Sequence, residues 1–281
     1  MHKLSALLAL SMVASAALAQ SPTLDRIRKT GSITLGYVDG AIPFSYIREA
    51  KPEGYSVELC ERIAGELRRS LKLAKLETRW KALTIQNRLE AVRKGEVDLE
   101  CSTTSRTLGR QELVDFSLMT FVDGASVLVR ANDRLRVLGD FGGRKIAVIS
   151  GTTTERAIGK TLEQLRVDAQ IVPVKTRAEG LEAVDQGKAD GLASDRVALF
   201  GVALTSANPA AYRILDDIYS VEPYALALRR GDADFRLAVD RALAGLYREG
   251  GIGEIYGKWF GRLGQPSRIL EALYLLEGIS E

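Results

Sequence analysis

Residues 89–102 read LEAVRKGEVDLECS and residues 181–194 read LEAVDQGKADGLAS, with seven of the fourteen positions identical. In each copy, apolar residues at helical spacing run into a glycine and then into a short apolar stretch, the pattern of helix, turn and strand. A chain that repeats this unit is constrained towards two lobes of similar build. Coincidence among common residues such as Leu, Glu and Ala is the other reading.

The rest of the chain fits the first reading. Strand patterns are predicted at 33–35, 76–80, 97–101, 125–129, 145–149, 171–174, 190–193 and 224–228. Helical patterns begin at Ser56, Glu155 and Arg196, and span 86–94, 178–186 and 232–248. Strands alternating with helices imply an α/β fold with parallel sheets. In such sheets ligands bind beyond the carboxyl ends of the strands. The first copy of the repeat ends in Thr103, Thr104 and Ser105, and the second in Asp195. Two facing lobes would place these polar ends across one cleft.

Composition narrows the chemistry. At 46% hydrophobic and 27% charged residues, the 281-residue chain has the make-up of a globular protein. A net charge of +3, with scattered Lys and Arg, does not make a nucleic-acid footprint. Lys3, the apolar run 4–13 and Ala17-Leu18-Ala19 read as a secretory signal peptide over 1–19, because the apolar core is too short to span a bilayer. The product is expected in the periplasm. The single histidine, His2, falls in that segment, so the mature chain would hold no imidazole. Histidine-dependent nucleophiles and histidine-ligated metals are then excluded, and neither cofactor nor metal is expected. An even pair of cysteines in an oxidising compartment suggests a Cys60–Cys101 disulfide, with two buried free thiols as the alternative.

Three polar clusters follow predicted strands. Residues 102–110 carry the hydroxyls of Thr103 and Ser105 and the guanidinium of Arg110, which can grip a carboxylate with two parallel bonds; a solvated loop is the alternative. Residues 150–154 place Gly151, Thr152 and Thr153 before a helix, as an anion site at its N-terminus or as plain capping. Asp195 can receive an ammonium group or cap the helix that follows it. Gly250-Gly251-Ile252-Gly253 reads only as a turn between helical patterns. Together the clusters offer donors for a carboxylate and an acceptor for a cation, the complement of an α-amino acid.

The chain resembles the periplasmic amino-acid-binding proteins of ABC importers (solute-binding protein family 3), most nearly the glutamate/aspartate-binding branch. The likeness is carried by Ile42-Pro43-Phe44-Ser45-Tyr46, Gly54-Tyr55-Ser56, Gln86-Asn87-Arg88, Asp98 to Thr104, Arg110 through Phe116-Ser117, Ser150-Gly151-Thr152-Thr153 and Lys258-Trp259-Phe260. It implies a two-lobed type II periplasmic binding protein fold. Each lobe is a mostly parallel sheet flanked by helices, and two hinge strands join the lobes. The expected division is lobe 1 over 20–124, lobe 2 over 125–220, and a return to lobe 1 with C-terminal helices over 221–281. Carried over by position, the resemblance gives the ligand α-carboxylate to Arg110, Ser105 and the Thr152-Thr153 turn. It gives the α-ammonium to Thr103 and Asp195, and an acidic side chain to Arg88 and to Arg177, which replaces a histidine of that branch.

Two departures bear on specificity: Val38 stands for an arginine and Ile85 for a serine. Glutamate or aspartate is the first expectation for the ligand. The implied partners are the free amino acid and an inner-membrane permease, with the protein acting as a monomer that closes about its hinge. Two alternatives share the frame: a periplasmic cyclohexadienyl (arogenate/prephenate) dehydratase-like enzyme, and a ligand module for a chemoreceptor. Without an evident general acid among the cleft motifs, the chain is expected not to be an enzyme.

Overall fold

A computed structural model describes residues 21–280; the expected signal segment, His2 included, lies outside them. The chain begins with α1 (Pro22–Thr30), β1 (Ser32–Val38), the hairpin β2 (Tyr46–Arg48) and β3 (Lys51–Glu53), α2 (Tyr55–Ser70), β4 (Glu77–Leu83), α3 (Arg88–Arg93), β5 (Leu99–Glu100) and α4 (Leu108–Gln111). It continues through β6 (Asp115–Arg130), β7 (Lys145–Ile149), α5 (Thr153–Leu165), β8 (Gln170–Val174), α6 (Arg177–Asp185), β9 (Gly191–Asp195), α7 (Arg196–Thr205) and β10 (Tyr212–Ile214). It returns by β11 (Ser220–Leu228) and ends in α8 (Ala233–Arg248), α9 (Gly251–Phe260) and α10 (Arg268–Glu277).

Among the described residues, nine strands form one sheet in the order β4-β1-β5-β11-β6-β9-β7-β8, with β10 beside β6. Its two ends follow one plan. In one, β1 pairs in parallel with β4 and β5; in the other, β7 pairs in parallel with β8 and β9. Parallel neighbours need crossover connections, supplied by α2 and α3 in the first lobe and by α5 and α6 in the second. Between the lobes β6 and β11 run antiparallel. The first part of the sixteen-residue β6 pairs with β11, and its last part with β9. These are the two strands that join the lobes.

The repeated sequence folds as a repeated corner. Gly95 and Gly187 take φ of 70° and 67°, a region that glycine enters without steric cost. The N–H groups of Glu96 and Lys188 then reach back to the carbonyls of Ala91 and Ala183 at 2.9 and 2.8 Å. The carboxylates of Asp98 and Asp190 accept from the backbone of the neighbouring strand, at Thr34 and Lys145, both at 2.8 Å. Helix, turn and strand-tying aspartate are thus the content of the identities.

Each lobe has an apolar cluster on either face of its sheet, as alternation along the strands dictates. Along β11, Tyr224, Leu226 and Leu228 join one cluster, while Ala225 and Ala227 join the other. Along β7, Ile146 and Val148 face one way and Ala147 and Ile149 the other.

Several motifs that carry the resemblance prove to hold the first lobe together. Phe44 packs edge-to-face on Phe121 at 4.9 Å. Pro43 and Phe44 carbonyls accept from the N–H groups of Tyr55 and Ser56 at 2.9 and 3.0 Å. Gly54, with φ of 132°, leaves no room for a Cβ against the Phe44 carbonyl. Lys258 and Trp259 both donate to Glu58, at 2.7 and 2.8 Å. Cys60 on α2 is bonded to Cys101 after β5, with Cα atoms 6.2 Å apart. That bond fastens α2 to its sheet.

The differences from the sequence reading are local. The strand predicted over 97–101 shortens to Leu99–Glu100, because Asp98 ties into β1 with its side chain as well as its backbone. β6 begins at Asp115, well before residue 125. The Gly250 turn is present with φ of 80°, and α9 starts at the next residue.

Candidate functional site

The carboxyl ends of β5 and β9 and the first turns of α3, α5 and α6 converge where the lobes meet. Arg88 opens α3 behind a turn in which Asn87 and Thr84 bond each other's backbone N–H groups, at 2.8 and 3.1 Å. Arg177 opens α6, which Thr176 caps by accepting from Glu179 N–H at 3.1 Å. Arg110 sits in the short α4. All three side chains are buried. Arg88 and Arg177 each occupy the first position of a helix, and only α6 has a side-chain cap there.

Their partners differ. Arg177 donates to Ser194 Oγ at 3.0 Å and forms an ion pair with Asp195 at 3.2 Å. The Arg110 guanidinium donates to the carbonyl of Ser105, at 2.7 Å, and burial together with the Arg88 and Arg156 charges pulls it down to about 10. Arg88 has its Nε buried with no acceptor. Burial lowers its pKa against the opposing pull of Glu100. Among the described residues, neither Arg88 nor Arg110 has a carboxylate within ion-pairing distance. Two desolvated guanidiniums with no carboxylate in contact are costly.

Asp195 is the last residue of β9 and precedes α7, yet its side chain makes no capping bond there. Asp123 on β6 takes that role instead, accepting from Val197 N–H at 3.0 Å. Asp195 is thereby left to face Arg177 and the hydroxyl of Thr154, the latter at 3.3 Å. Asp123 is pushed up to about 7 by burial and by Asp195 beside it.

The threonine cluster divides. Thr152 is the N-cap of α5: its hydroxyl accepts from Glu155 N–H at 3.1 Å and donates to the Ile149 carbonyl at 2.7 Å. Its side chain is therefore spent on the cap. The cap takes the N–H of Glu155, whose own carboxylate accepts from Gly151 N–H at 2.7 Å. Thr153 turns the other way, towards Ser105, the two hydroxyl oxygens lying 3.5 Å apart. Thr103 is buried.

Neither Glu222 nor Glu100 is among the site residues expected from the sequence. Glu222, on β11, accepts from Ser105 at 2.5 Å and from Thr153 at 2.7 Å. Glu100 ends β5, fully buried, with Ser102 on one oxygen and no partner on the other. A charged residue inside an otherwise apolar strand pattern was the available signal for both.

The lobes touch around these groups. Gly201 of α7 abuts the Ile42 carbonyl so closely that no Cβ fits. Gln86 reaches the Lys175 carbonyl at 3.5 Å. Val38 is buried in the first lobe, and Ile85 packs against the apolar clusters of both lobes.

The sequence matches the family model described as bacterial extracellular solute-binding proteins, family 3, over residues 33–262. An L-glutamate/L-aspartate-binding protein of Pseudomonas aeruginosa is 32% identical over 240 residues, covering 85% of this chain and 80% of that protein. The glutamate/aspartate import solute-binding protein of Escherichia coli is 28% identical over 263 residues, covering 91% and 87%. A solved ancestral amino-acid-binding protein, a precursor of cyclohexadienyl dehydratase, superposes with a TM-score of 0.72 at 26% identity, over 85% of this chain and 99% of that one.

Proposed function

This chain belongs to family 3 of the bacterial extracellular solute-binding proteins, and from that premise we propose that it delivers glutamate or aspartate to an ABC importer. The observation that carries the ligand class is the pair of buried arginines, Arg88 and Arg110, without carboxylate partners beside the Arg177–Asp195 pair. A dicarboxylic amino acid supplies what such a cleft lacks, two carboxylates for the guanidiniums, while its ammonium would share Asp195 with Arg177. In this reading Arg110 and the first-turn N–H groups of α5 hold the α-carboxylate. Thr103 and Asp195 receive the ammonium, and Arg88 and Arg177 hold the side-chain carboxylate. Ile85 and Val38 face the ligand's methylene stem.

Micromolar affinity corresponds to about −8 kcal/mol, near −0.8 kcal/mol per heavy atom for so small a ligand, below the ceiling for tiny ligands. Ion pairs open to water would be screened and weak. The reading therefore requires the lobes to close over the ligand, about hinges where 124/125 falls inside β6 and 220/221 at the start of β11. The closed form of a monomer, exported to the periplasm by residues 1–19, would then be presented to the permease.

The likeness to a dehydratase precursor supports a second reading, an enzyme on the same frame. Dehydration needs a general acid within reach of the leaving group. Asp123 has a suitably raised pKa, but its two oxygens are taken by the N–H groups of Gly124 and Val197, which favours binding over turnover. A thermal-shift screen across the amino acids, with prephenate turnover assayed alongside, tests both. Glutamate and aspartate should give the largest shifts. A shift with only neutral or basic amino acids overturns the ligand assignment, and turnover establishes the enzyme.

A further inference from the structure

Glu100 is the last residue of β5, where the strand is paired on both sides, with Gly36 of β1 and with Ala227 of β11. Side chains of paired residues project from the same face of a sheet, so Glu100 shares the face of Ala227. That face carries the apolar cluster of Val38, Ala91, Val92 and Val114. A fully buried carboxylate in such surroundings is costly unless it is paired. Ser102 donates to its Oε1, and its Oε2 is buried with no hydrogen-bond partner.

The two arginines that lack a carboxylate in contact belong to the same region. Arg88 opens α3, which supplies Ala91 and Val92 to the cluster. The Arg110 carbonyl accepts from the N–H of Val114, another member, at 3.0 Å. Burial lowers the pKa of both guanidiniums, and for Arg110 the Arg88 and Arg156 charges add to the fall; the Glu100 charge opposes it in each. Arg88 Nε and Glu100 Oε2 are both buried without a hydrogen bond. The attraction between them therefore acts across a gap.

A ligand carboxylate that pairs with Arg88 or Arg110 enters the field of this fixed anion. It gains the guanidinium and is repelled by Glu100, and a second carboxylate on the ligand is repelled again. We propose that Glu100 is a resident counter-charge to Arg88 and Arg110 and a specificity-determining residue: it stabilises the empty cleft and limits how strongly that cleft favours an acidic side chain over its neutral amide. The proposal deepens the amino-acid-binding reading above and rests on it.

Glu100→Gln keeps the size of the side chain and an oxygen for Ser102 while removing the charge. Calorimetry with glutamate and glutamine, which differ by one charge, reads the selectivity, and thermal unfolding without ligand reads the empty protein. Glutamate affinity should rise by about tenfold, the repulsion of a unit charge at roughly 10 Å in an effective dielectric of about 20. Glutamine has no net charge, so its affinity should stay within about threefold of wild type. The ligand-free Tm should fall. A residue that served packing alone would lower the Tm and both affinities together. Glu100→Asp keeps the charge and should keep the wild-type ratio of glutamate to glutamine affinity. Glu100→Met removes the charge without placing an amide N–H near Arg88, and it decides the matter if Glu100→Gln does not fold. A neutral variant that folds only with glutamate present supports the proposal, and failure of both neutral variants to fold under either condition overturns it. An unchanged or narrowed affinity ratio in a folded neutral variant also overturns it. Wild type that binds only neutral or basic amino acids, or none, overturns the ligand reading instead, a separate outcome.

Discussion

Replacing Arg110 by methionine separates what this residue costs the empty protein from what it gives the ligand. Burial and the neighbouring Arg88 and Arg156 charges pull its guanidinium from 12.5 down to about 10. By linkage that corresponds to roughly 3 kcal/mol acting against the folded, charged form. Methionine keeps most of the apolar stem and removes the charge. The bond from Arg110 to the Ser105 carbonyl, 2.7 Å long, is lost as well, and returns about 1 kcal/mol of that gain. The ligand-free variant should therefore be more stable by about 2 kcal/mol, a rise in Tm of roughly 4–8 °C for a chain of this size. Binding should move the opposite way. Removing one partner of a buried ion pair costs about 3–5 kcal/mol, so glutamate affinity should drop by about a hundredfold or more. Thermal unfolding without ligand, followed by calorimetry with glutamate, reads both effects. A lower ligand-free Tm would refute the charge-burial argument and make Arg110 a structural residue. A higher Tm with affinity intact would refute its contact with the ligand.

The remaining predictions address the bond, the hinge region and closure. Reducing the Cys60–Cys101 disulfide, whose ends are 41 residues apart, should lower stability by about 4 kcal/mol in the chain-entropy model; an unchanged urea midpoint would contradict this. Asp123 is raised in the folded protein from 3.8 to about 7, so the stability tied to its proton is present below pH 3.8 and is lost as the pH climbs through 7. Asp123→Asn should flatten that decline, by an amount on the order of a few kcal/mol, in unfolding measured from pH 4 to 8; an undiminished decline in the variant would count against it. Gly201→Val places a side chain against the Ile42 carbonyl, where no Cβ fits. An overpacking cost of about 1–3 kcal/mol on the closed state should weaken ligand binding by about 5- to 150-fold and enlarge the radius of gyration measured with ligand by X-ray scattering. Unaltered affinity would show that this contact is not part of closure.

Much of the frame was legible because its signals are local. The 89–102 and 181–194 repeat placed two helix–glycine–strand corners, and Gly95 and Gly187 both have the positive φ that such corners need. Of the polar strand ends that the periodicity marked, Ser105 lies beside Thr153 and Asp195 beside Arg177. What stayed hidden was the destination of each side chain. Thr152 and Thr153 are adjacent, yet one closes a helix cap and the other crosses to Glu222. Asp195 sits at a capping position that Asp123 fills from β6, 74 residues away from Val197. The Ser105–Glu222 contact spans 117 residues, a distance over which no spacing rule operates.

The sequence by itself determined the two α/β lobes, that its two cysteines had one possible partner each, and the stock of arginines, hydroxyls and carboxylates available to a cleft. Hydrophobic period and turn residues act over a few positions, so these properties are written into short stretches of chain. The tertiary structure alone decided which charges are left without partners and which way the hydroxyls point. Among the described residues, Arg177 rather than Arg88 or Arg110 is within ion-pair distance of a carboxylate, because the fold brings Asp195 to it. Ser105 and Thr153 donate to one carboxylate because β11 carries Glu222 between them. Whether a group is donor, acceptor or counter-ion depends on what the fold places within about 3 Å of it, and those neighbours are remote in sequence.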